Sequence, residues 1–309
     1  MSILLMTAPI PAQPYAEALR ALAPEEPVWI AEEAHDPQAV EAILAWRLKP
    51  GQLAHYPKLR VLCAIGAGVD KLLAVPDLPA NLPVTRTVDP GQHAQIAQYV
   101  VACALSHTRE LPRYAAQQAQ AHWARHPVRP AAQCRVGVLG LGAVGLSIAH
   151  AFLPLGYPVA GWARQPRTVP GVTVFAGDEG LPALLRQSDI LVCALPLTAA
   201  TQGLLCRDTL ALLPRGAYFI NIGRGEQLVE GDLRALLDAG QLAGAALDVF
   251  EREPPAADNW VWRHPHVRAT PHIAGEAARS VVAEQVLDAL RRARAGLPQP
   301  LAVDRSAGY

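Results

Sequence analysis

The sequence predicts an α/β protein with parallel sheets, organised as two domains. Three observations carry that expectation. At 309 residues the length favours two domains over one. Short apolar runs alternate with helical stretches, stop, and then restart. A glycine-rich turn sits in mid-chain between an apolar strand and a helix. With 51% hydrophobic and 17% charged residues, two ordinary cores can be filled.

In the first part of the chain, residues 3–6, 27–30, 42–45 and 59–65 read as strands, while 17–22 and 38–43 read as partly helical. Strands interleaved with helices imply a parallel sheet. Asp89-Pro90-Gly91 breaks the chain, and 92–123 reads as one long helix kinked near Pro112. From Arg135 the alternation restarts, with strands expected at 136–139, 159–162, 190–194, 217–222, 243–249 and 267–270. Helices fit between them at 146–155, 181–187, 209–213 and 230–239. Such a set of strands makes a complete doubly wound domain. Residues 276–295 read as a long amphipathic helix ended by Gly296-Leu297-Pro298, and the tail beyond is too short to fold alone. The tail is therefore expected to return to the first domain.

Composition excludes several classes of function. Lys+Arg and Asp+Glu each total 27, so no net field draws the chain to nucleic acid or to an anionic membrane. No apolar run approaches the ~18 residues needed to span a bilayer. Met1-Ser2-Ile3-Leu4-Leu5-Met6 lacks a basic flank and meets Pro9, so it reads as a first strand rather than a signal peptide. The cysteines, Cys63, Cys103, Cys134, Cys193 and Cys206, are scattered and odd in number, which fits a reduced cytoplasmic enzyme.

The most specific motif is Arg135-Val136-Gly137-Val138-Leu139-Gly140-Leu141-Gly142-Ala143-Val144-Gly145. A strand running through G-x-G-x-x-G into a helix is the context that binds a dinucleotide. Gly140 permits the tight turn, Gly142 lets backbone approach a pyrophosphate, and Gly145 lets the helix pack closely. Ala143 and Val144 begin the helix whose N–H groups face the anion. An acidic residue that would bind the ribose 2′-OH of NAD should end the next strand. That position reads Gly161-Trp162-Ala163-Arg164-Gln165-Pro166-Arg167, without a carboxylate and with two arginines. Guanidinium forks suit a 2′-phosphate, so NADP(H) is expected, with NAD(H) the weaker alternative. A solvated basic turn is the competing reading.

Reduction of a 2-oxo acid needs a cation for the carboxylate, an acid to protonate the forming alkoxide, and a partner for that acid. Asn221-Ile222-Gly223-Arg224-Gly225, Leu247-Asp248-Val249-Phe250-Glu251-Arg252-Glu253-Pro254 and Thr270-Pro271-His272-Ile273-Ala274 offer these. All three lie at expected C-terminal strand ends, where open α/β sheets bind ligands. Each is weak alone, and their order after the glycine motif makes them strong together.

These pieces, with Gly66-Ala67-Gly68-Val69-Asp70, Pro170-Gly171-Val172, Phe175-Ala176-Gly177 and the tail Val303-Asp304-Arg305-Ser306-Ala307-Gly308-Tyr309, carry a resemblance. The chain resembles the D-isomer-specific 2-hydroxyacid dehydrogenases over nearly its whole length, and within them the glyoxylate/hydroxypyruvate reductase A group. The resemblance implies two Rossmann-like domains, flavodoxin-like plus NAD(P)-binding, with parallel sheets. A substrate-binding domain of 1–100 plus 288–309 would carry the NAD(P)-binding domain, 101–287, as an insertion, with the site between the two parts.

The resemblance also implies roles. Arg224 would pair with the substrate carboxylate and polarise the C2 carbonyl. His272 would be the acid in reduction, and Glu253 would hydrogen-bond the imidazole and orient its ring. The Ala67-Gly68-Val69 turn would offer backbone N–H groups to the carboxylate. Asp248 would lie by the nicotinamide, with Leu195, Pro196 and Ile222 along the cofactor. Trp46 and Trp123 would close the pocket, against the competing reading of core tryptophans. Two departures stand out: Gln98 replaces a frequent glutamate, and Gly223 replaces a frequent alanine, read as a minor change in size.

The expected activity is NADPH-dependent reduction of glyoxylate to glycolate and hydroxypyruvate to D-glycerate by a cytoplasmic homodimer, dimerising through the 92–123 arm. The alternatives are a reductase of bulkier 2-oxo acids such as phenylpyruvate, or a non-catalytic NAD(P)-sensing interaction protein. No metal site is expected, since His264 and His266 flank Pro265 without a ligand set of the usual spacing.

Overall fold

The computed structural model describes residues 2–308, so Met1 and Tyr309, the ends of the first-strand segment and of the tail motif, lie outside the described residues. The chain divides into two compact units, one holding residues up to Gln92 together with those from Glu276 on, the other His93–Gly275. These divisions fall ahead of the expected 100 and 287 because of how two helices pack. Helix Pro90–Thr108 buries Ala97, Val100, Cys103 and Ala104 in the second unit. Helix Arg279–Ala295 buries Val282, Val286 and Leu290 in the first.

In the first unit, strands β1 (Ser2–Met6), β2 (Val28–Ile30), β3 (Val40–Ala45), β4 (Val61–Ala64) and β5 (Val84–Thr85) form a sheet of order β2-β1-β3-β4-β5. Every pairing is parallel, and this is the flavodoxin-like order. Ile3, Leu5, Ala42, Leu44, Val61 and Cys63 face helices Gln13–Leu22 and Arg279–Ala295. Leu4, Ile43, Ala45, Leu62 and Ala64 face Leu53, Val69, Leu72 and Leu82 on the other side. Burial on both faces explains why these strands read as unbroken apolar runs.

Residues 38–43 hold no α-helix, and only Gln38 and Ala39 are helical at all. Asp36 caps only a 3-10 turn, Pro37–Ala39, and β3 then runs through six buried residues with neighbours on both edges. Tertiary pairing overrides the local helical pattern there. The tail returns to this unit as expected. Ala302 bridges Thr85 in antiparallel fashion, and Val303 N–H donates to Val84 C=O at 2.8 Å.

The second unit adds β6 (Val136–Leu139), β7 (Val159–Ala163), β8 (Val172–Ala176), β9 (Ile190–Cys193), β10 (Ala217–Asn221), β11 (Leu242–Leu247) and β12 (Val267–Ala269). They form a parallel sheet of order β12-β11-β10-β9-β6-β7-β8. This is the doubly wound arrangement, with seven strands where six were expected. The additional strand is β8, an edge strand. Helices Ala143–Phe152 and Pro90–Thr108 cover one face, while Gly177–Leu185, Arg207–Leu210 and Glu230–Asp238 cover the other.

The segment 92–123 is not one kinked helix. Glu110 takes a left-handed φ of 51° and ends the first helix, and Leu111–Ala119 starts afresh with Pro112 in its first turn. Pro at that position forfeits no intrahelical bond. Asp89-Pro90-Gly91 likewise starts a helix, with Asp89 Oδ1 accepting from Gly91 N–H at 2.7 Å. Among the described residues no helix is long and apolar enough to cross a membrane.

Candidate active site

The strand order reverses between β6 and β9, which is where open α/β sheets place a ligand. The glycine turn occupies the C-terminal end of β6. Gly140 has φ +91°, and a Cβ there would lie 2.8 Å from Ala194 O at the end of β9, so both conformation and space require glycine. A Cβ at Gly145 would lie 1.8 Å from Gly140 O, which fixes the helix start against the turn. A Cβ at Gly142 meets nothing within 4 Å and would stand only in the path of an approaching group.

Helix Ala143–Phe152 begins here. Its first hydrogen bond runs from Leu146 N–H to Gly142 C=O at 2.9 Å, so the N–H groups of Ala143, Val144 and Gly145 precede the ladder. Three donors and the positive end of the helix dipole suit a pyrophosphate. Arg164 and Arg167 are exposed just beyond β7. Arg167 Nη1 donates to Leu141 C=O at 2.5 Å, which ties that guanidinium to the glycine turn. The residues present therefore fit a dinucleotide bearing an additional phosphate.

On the other half of the sheet, Arg224 follows β10. The buried Asn221 staples the turn: its Oδ1 accepts from Gly223 N–H at 3.1 Å and its Nδ2 donates to Arg224 C=O at 3.2 Å. Gln227, wholly buried, does more. Its Oε1 accepts from Arg224 N–H at 2.9 Å and from the Cys193 thiol at 3.3 Å. Its Nε2 donates to the carbonyls of Leu195 and Pro196, each at 3.0 Å. Gln227 thus ties Arg224 to the loop after β9. Burial pushes the Cys193 thiol up to about 12, so it serves as a neutral donor.

Gly223 is not a minor change in size. A Cβ on it would lie 2.4 Å from Gln227 Oε1 and 3.1 Å from Leu195 O. The amide of Gln227 fills the space that a methyl at 223 would need. Gly225 is held still more tightly, since its Cβ would lie 1.8 Å from the backbone carbon of Phe250.

His272 and Glu253 come together. His272 Nδ1 lies 3.0 Å from Glu253 Oε2 and 3.2 Å from Oε1. The carboxylate is oriented by Phe250 N–H, which donates to Oε1 at 3.2 Å. A carboxylate only accepts, so this contact places a ring proton on Nδ1. His272 has a left-handed φ of 57°. Such a conformation persists only where the surroundings over-determine it.

Asp248, 1% exposed, provides that constraint. Its C=O accepts from His272 N–H at 2.9 Å, and its Oδ1 accepts from Ile273 N–H at 2.9 Å. Oδ2 accepts from Ala274 N–H at 2.8 Å, and the Thr270 hydroxyl lies 2.6 Å from Oδ1. The carboxylate expected beside the nicotinamide thus clamps the turn that carries the imidazole.

Sequence reasoning missed Gln227 and Asn221 as builders of this site. The spacing of Arg224 to Gln227 is that of a helix capping pair, and that was the available signal. Gln98 is exposed. Trp123 is 95% exposed. Leu195 is buried, and Ile222 half-buried beside β10.

The first unit supplies its own candidates. Val69 is buried and Ala67 and Gly68 half-buried in the turn after β4, which Thr87 N–H anchors by donating to Gly66 C=O at 3.0 Å. Trp46 packs against that turn, with a Cβ at Gly66 lying 3.8 Å from its ring, and Lys71 Nζ sits 4.7 Å from the ring centroid. Among the described residues no group of three or more His, Cys, Asp or Glu could hold a metal ion.

The profile of the D-isomer specific 2-hydroxyacid dehydrogenase NAD-binding domain matches residues 101–274. Glyoxylate/hydroxypyruvate reductase A of Yersinia enterocolitica is 38% identical over 281 residues, 89% of each chain. Its namesake from Salmonella newport is 36% identical over 279 residues, again 89% of each. Among solved structures, a D-isomer specific 2-hydroxyacid dehydrogenase from Xanthobacter autotrophicus Py2, in complex with NADPH and MES, superposes with a TM-score of 0.93. It is 40% identical, covering 100% of this chain and 99% of that one. An NADPH-dependent glyoxylate/hydroxypyruvate reductase from Sinorhizobium meliloti, in complex with NADP and sulfate, gives a TM-score of 0.93 at 33% identity with full coverage of both chains.

Proposed function

Because the chain belongs to the D-isomer specific 2-hydroxyacid dehydrogenase family, we propose that it is an NADPH-dependent reductase of small 2-oxo acids. Glyoxylate would give glycolate and hydroxypyruvate D-glycerate, each turnover consuming one NADPH and one proton. Gly140, Gly142, Ala143, Val144 and Gly145 hold the pyrophosphate, and Arg164 and Arg167 hold the 2′-phosphate. Leu195, Pro196 and Ile222 flank the nicotinamide half. When bound, NADPH supplies the hydride that reduces C2.

The remaining work falls to side chains. The Arg224 guanidinium pairs with the substrate carboxylate and draws electron density from the C2 carbonyl. His272 gives its Nε2 proton to the forming alkoxide, and Glu253 stabilises the charged ring from Nδ1. We assign the N–H groups of Ala67, Gly68 and Val69 to the substrate carboxylate and Trp46 to the substrate chain. The observation that carries the reading is the His272–Glu253 pair on a turn that Asp248 over-determines.

A homodimer is part of the proposal. Helix Leu111–Ala119 buries none of its residues, and Leu111, Trp123 and Val128 are 54%, 95% and 54% exposed along the arm. Light scattering would read the mass directly. A reducing cytoplasm suits the unpaired cysteines.

The decisive experiment follows NADPH oxidation with glyoxylate, hydroxypyruvate and phenylpyruvate. Turnover with the two small acids that falls about 10²–10⁴-fold in His272→Ala is the expected result. Tight NADPH binding without turnover in the unaltered protein would defeat the reading, and a preference for phenylpyruvate would move it to bulkier acids.

A further inference from the structure

The catalytic turn is held from beneath by a residue that the mechanism above does not use. Helix Pro90–Thr108 carries Tyr99, half-buried, with its hydroxyl 2.6 Å from Thr270 Oγ1. Thr270 Oγ1 is in turn 2.6 Å from Asp248 Oδ1. Proton bookkeeping fixes the direction of this chain. Thr270 Oγ1 donates to Asp248 Oδ1, and the two Asp248 oxygens also accept the N–H groups of Ile273 and Ala274. The single Thr270 hydroxyl proton therefore goes to Asp248, and Thr270 Oγ1 must accept from Tyr99. Burial raises the Tyr99 phenol well above its ordinary value and keeps its proton in place.

Thr270 is also in the turn itself. Its C=O accepts from His272 N–H at 3.1 Å, and its own N–H donates to Leu247 C=O at 3.0 Å. A rotation of the Thr270 side chain would release Asp248 Oδ1 from the hydroxyl that helps to fix it against the turn in which His272 holds a φ of 57°.

We infer that Tyr99 is a positioning residue for the His272 acid, donating to Thr270, which in turn donates to Asp248, the acceptor that holds the His272 turn. This rests on His272 being the proton donor proposed above. Tyr99 touches neither end of the His272–Glu253 pair among the described contacts. It matters because it leaves Thr270 one rotamer in which to serve Asp248. The signal is invisible in sequence, since Tyr99 and Thr270 stand 171 positions apart.

The test is a cycle of Tyr99→Phe, Thr270→Val and the double variant, assayed for glyoxylate reduction with NADPH. Tyr99→Phe keeps the ring and removes the donor. It should lower kcat by about 3- to 10-fold, with both KM values within about twofold of the parent. The double variant should be no slower than Thr270→Val, because both substitutions cut the same chain. Thr270→Ser, which keeps the hydroxyl, should restore most of the kcat lost in Thr270→Val. It also supplies the test if Tyr99→Phe yields no folded protein.

Unchanged kcat in Tyr99→Phe, a change confined to melting temperature or KM, or additive losses in the double variant would each overturn the inference. So would a Thr270→Ser as slow as Thr270→Val. Full activity in His272→Ala is a different failure, since it removes the acid assignment itself.

Discussion

Gly223→Ala is the smallest change that tests how the arginine turn is built. The added methyl would lie 2.4 Å from Gln227 Oε1, where contact requires roughly 3.4 Å or more, so Gln227 must retreat by about 1 Å. It has nowhere to go without loss, because it is wholly buried and its amide makes hydrogen bonds to Arg224, Cys193, Leu195 and Pro196. Breaking the Arg224 N–H bond inside the protein costs about 1–3 kcal/mol, and overpacking adds a similar amount. The two overlap, so a net loss of about 2–4 kcal/mol is expected, or on the order of 5–10 °C in melting temperature for a unit of this size. Arg224 is displaced with its turn, so KM for glyoxylate should rise by about tenfold while KM for NADPH moves little. Calorimetry and steady-state kinetics read both effects. A second arm uses Gln227→Ala, which vacates the space the methyl needs. Gly223→Ala should cost clearly less in that background than in the parent. Equal costs in the two backgrounds, or an unchanged melting temperature and KM in the single variant, would refute the steric reasoning.

Two further outcomes follow from other parts of the molecule. Replacing Arg164 and Arg167 together by glutamine should lower kcat/KM for NADPH by about 100-fold and change that for NADH by less than about threefold. An unchanged NADPH preference would return both residues to the status of a solvated turn. Arg294 Nε donates to the buried Glu41 at 2.9 Å, and its Nη2 donates to Glu26 at 2.9 Å. Hydrogen bonding to Arg294 holds the Glu26 carboxyl below its ordinary value, so its contribution to stability is present above the unfolded-state pKa of about 4.3 and is lost as pH falls through the folded value. Arg294→Met should therefore cost about 3 kcal/mol near neutral pH and flatten the acid limb below about pH 4, as read from urea melts across pH. An acid limb as steep as the parent's would place that proton uptake elsewhere.

The parts of the fold legible in the sequence were those where backbone geometry admits one residue type. Gly140 and Gly145 announced the nucleotide turn because a Cβ at either collides with backbone. β3 was half misread because Pro37-Gln38-Ala39 carries a helical start that pairing with β1 and β4 cuts short. β8 was missed because an edge strand with one mostly open face shows little apolar signal, and its pattern is one buried residue followed by exposed and half-buried ones. Arg224, Glu253 and His272 could be picked out by residue type and position at strand ends. Their supports could not. The work of Gln227, Asp248 and Tyr99 lies in contacts that local pattern does not encode, and Asp248 reads in sequence as readily as a cofactor ligand as it does as a clamp.

The insertion of the second unit within the first has a consequence for biosynthesis. Residues up to Gln92 leave the ribosome carrying all five strands of the first sheet, yet helix Gln13–Leu22 covers only part of the face that holds Ile3, Leu5, Leu44 and Val61, and the rest waits for Arg279–Ala295. At roughly 5–20 residues per second, about 200 further residues separate the sheet from its cover by some 10–40 s. During that interval the nascent sheet presents bare apolar surface, while the unit encoded in between is contiguous and able to close as soon as it emerges. The nascent chain's vulnerable stage is thus set by the order of segments in the chain, which defines the window in which a holdase chaperone could act on it.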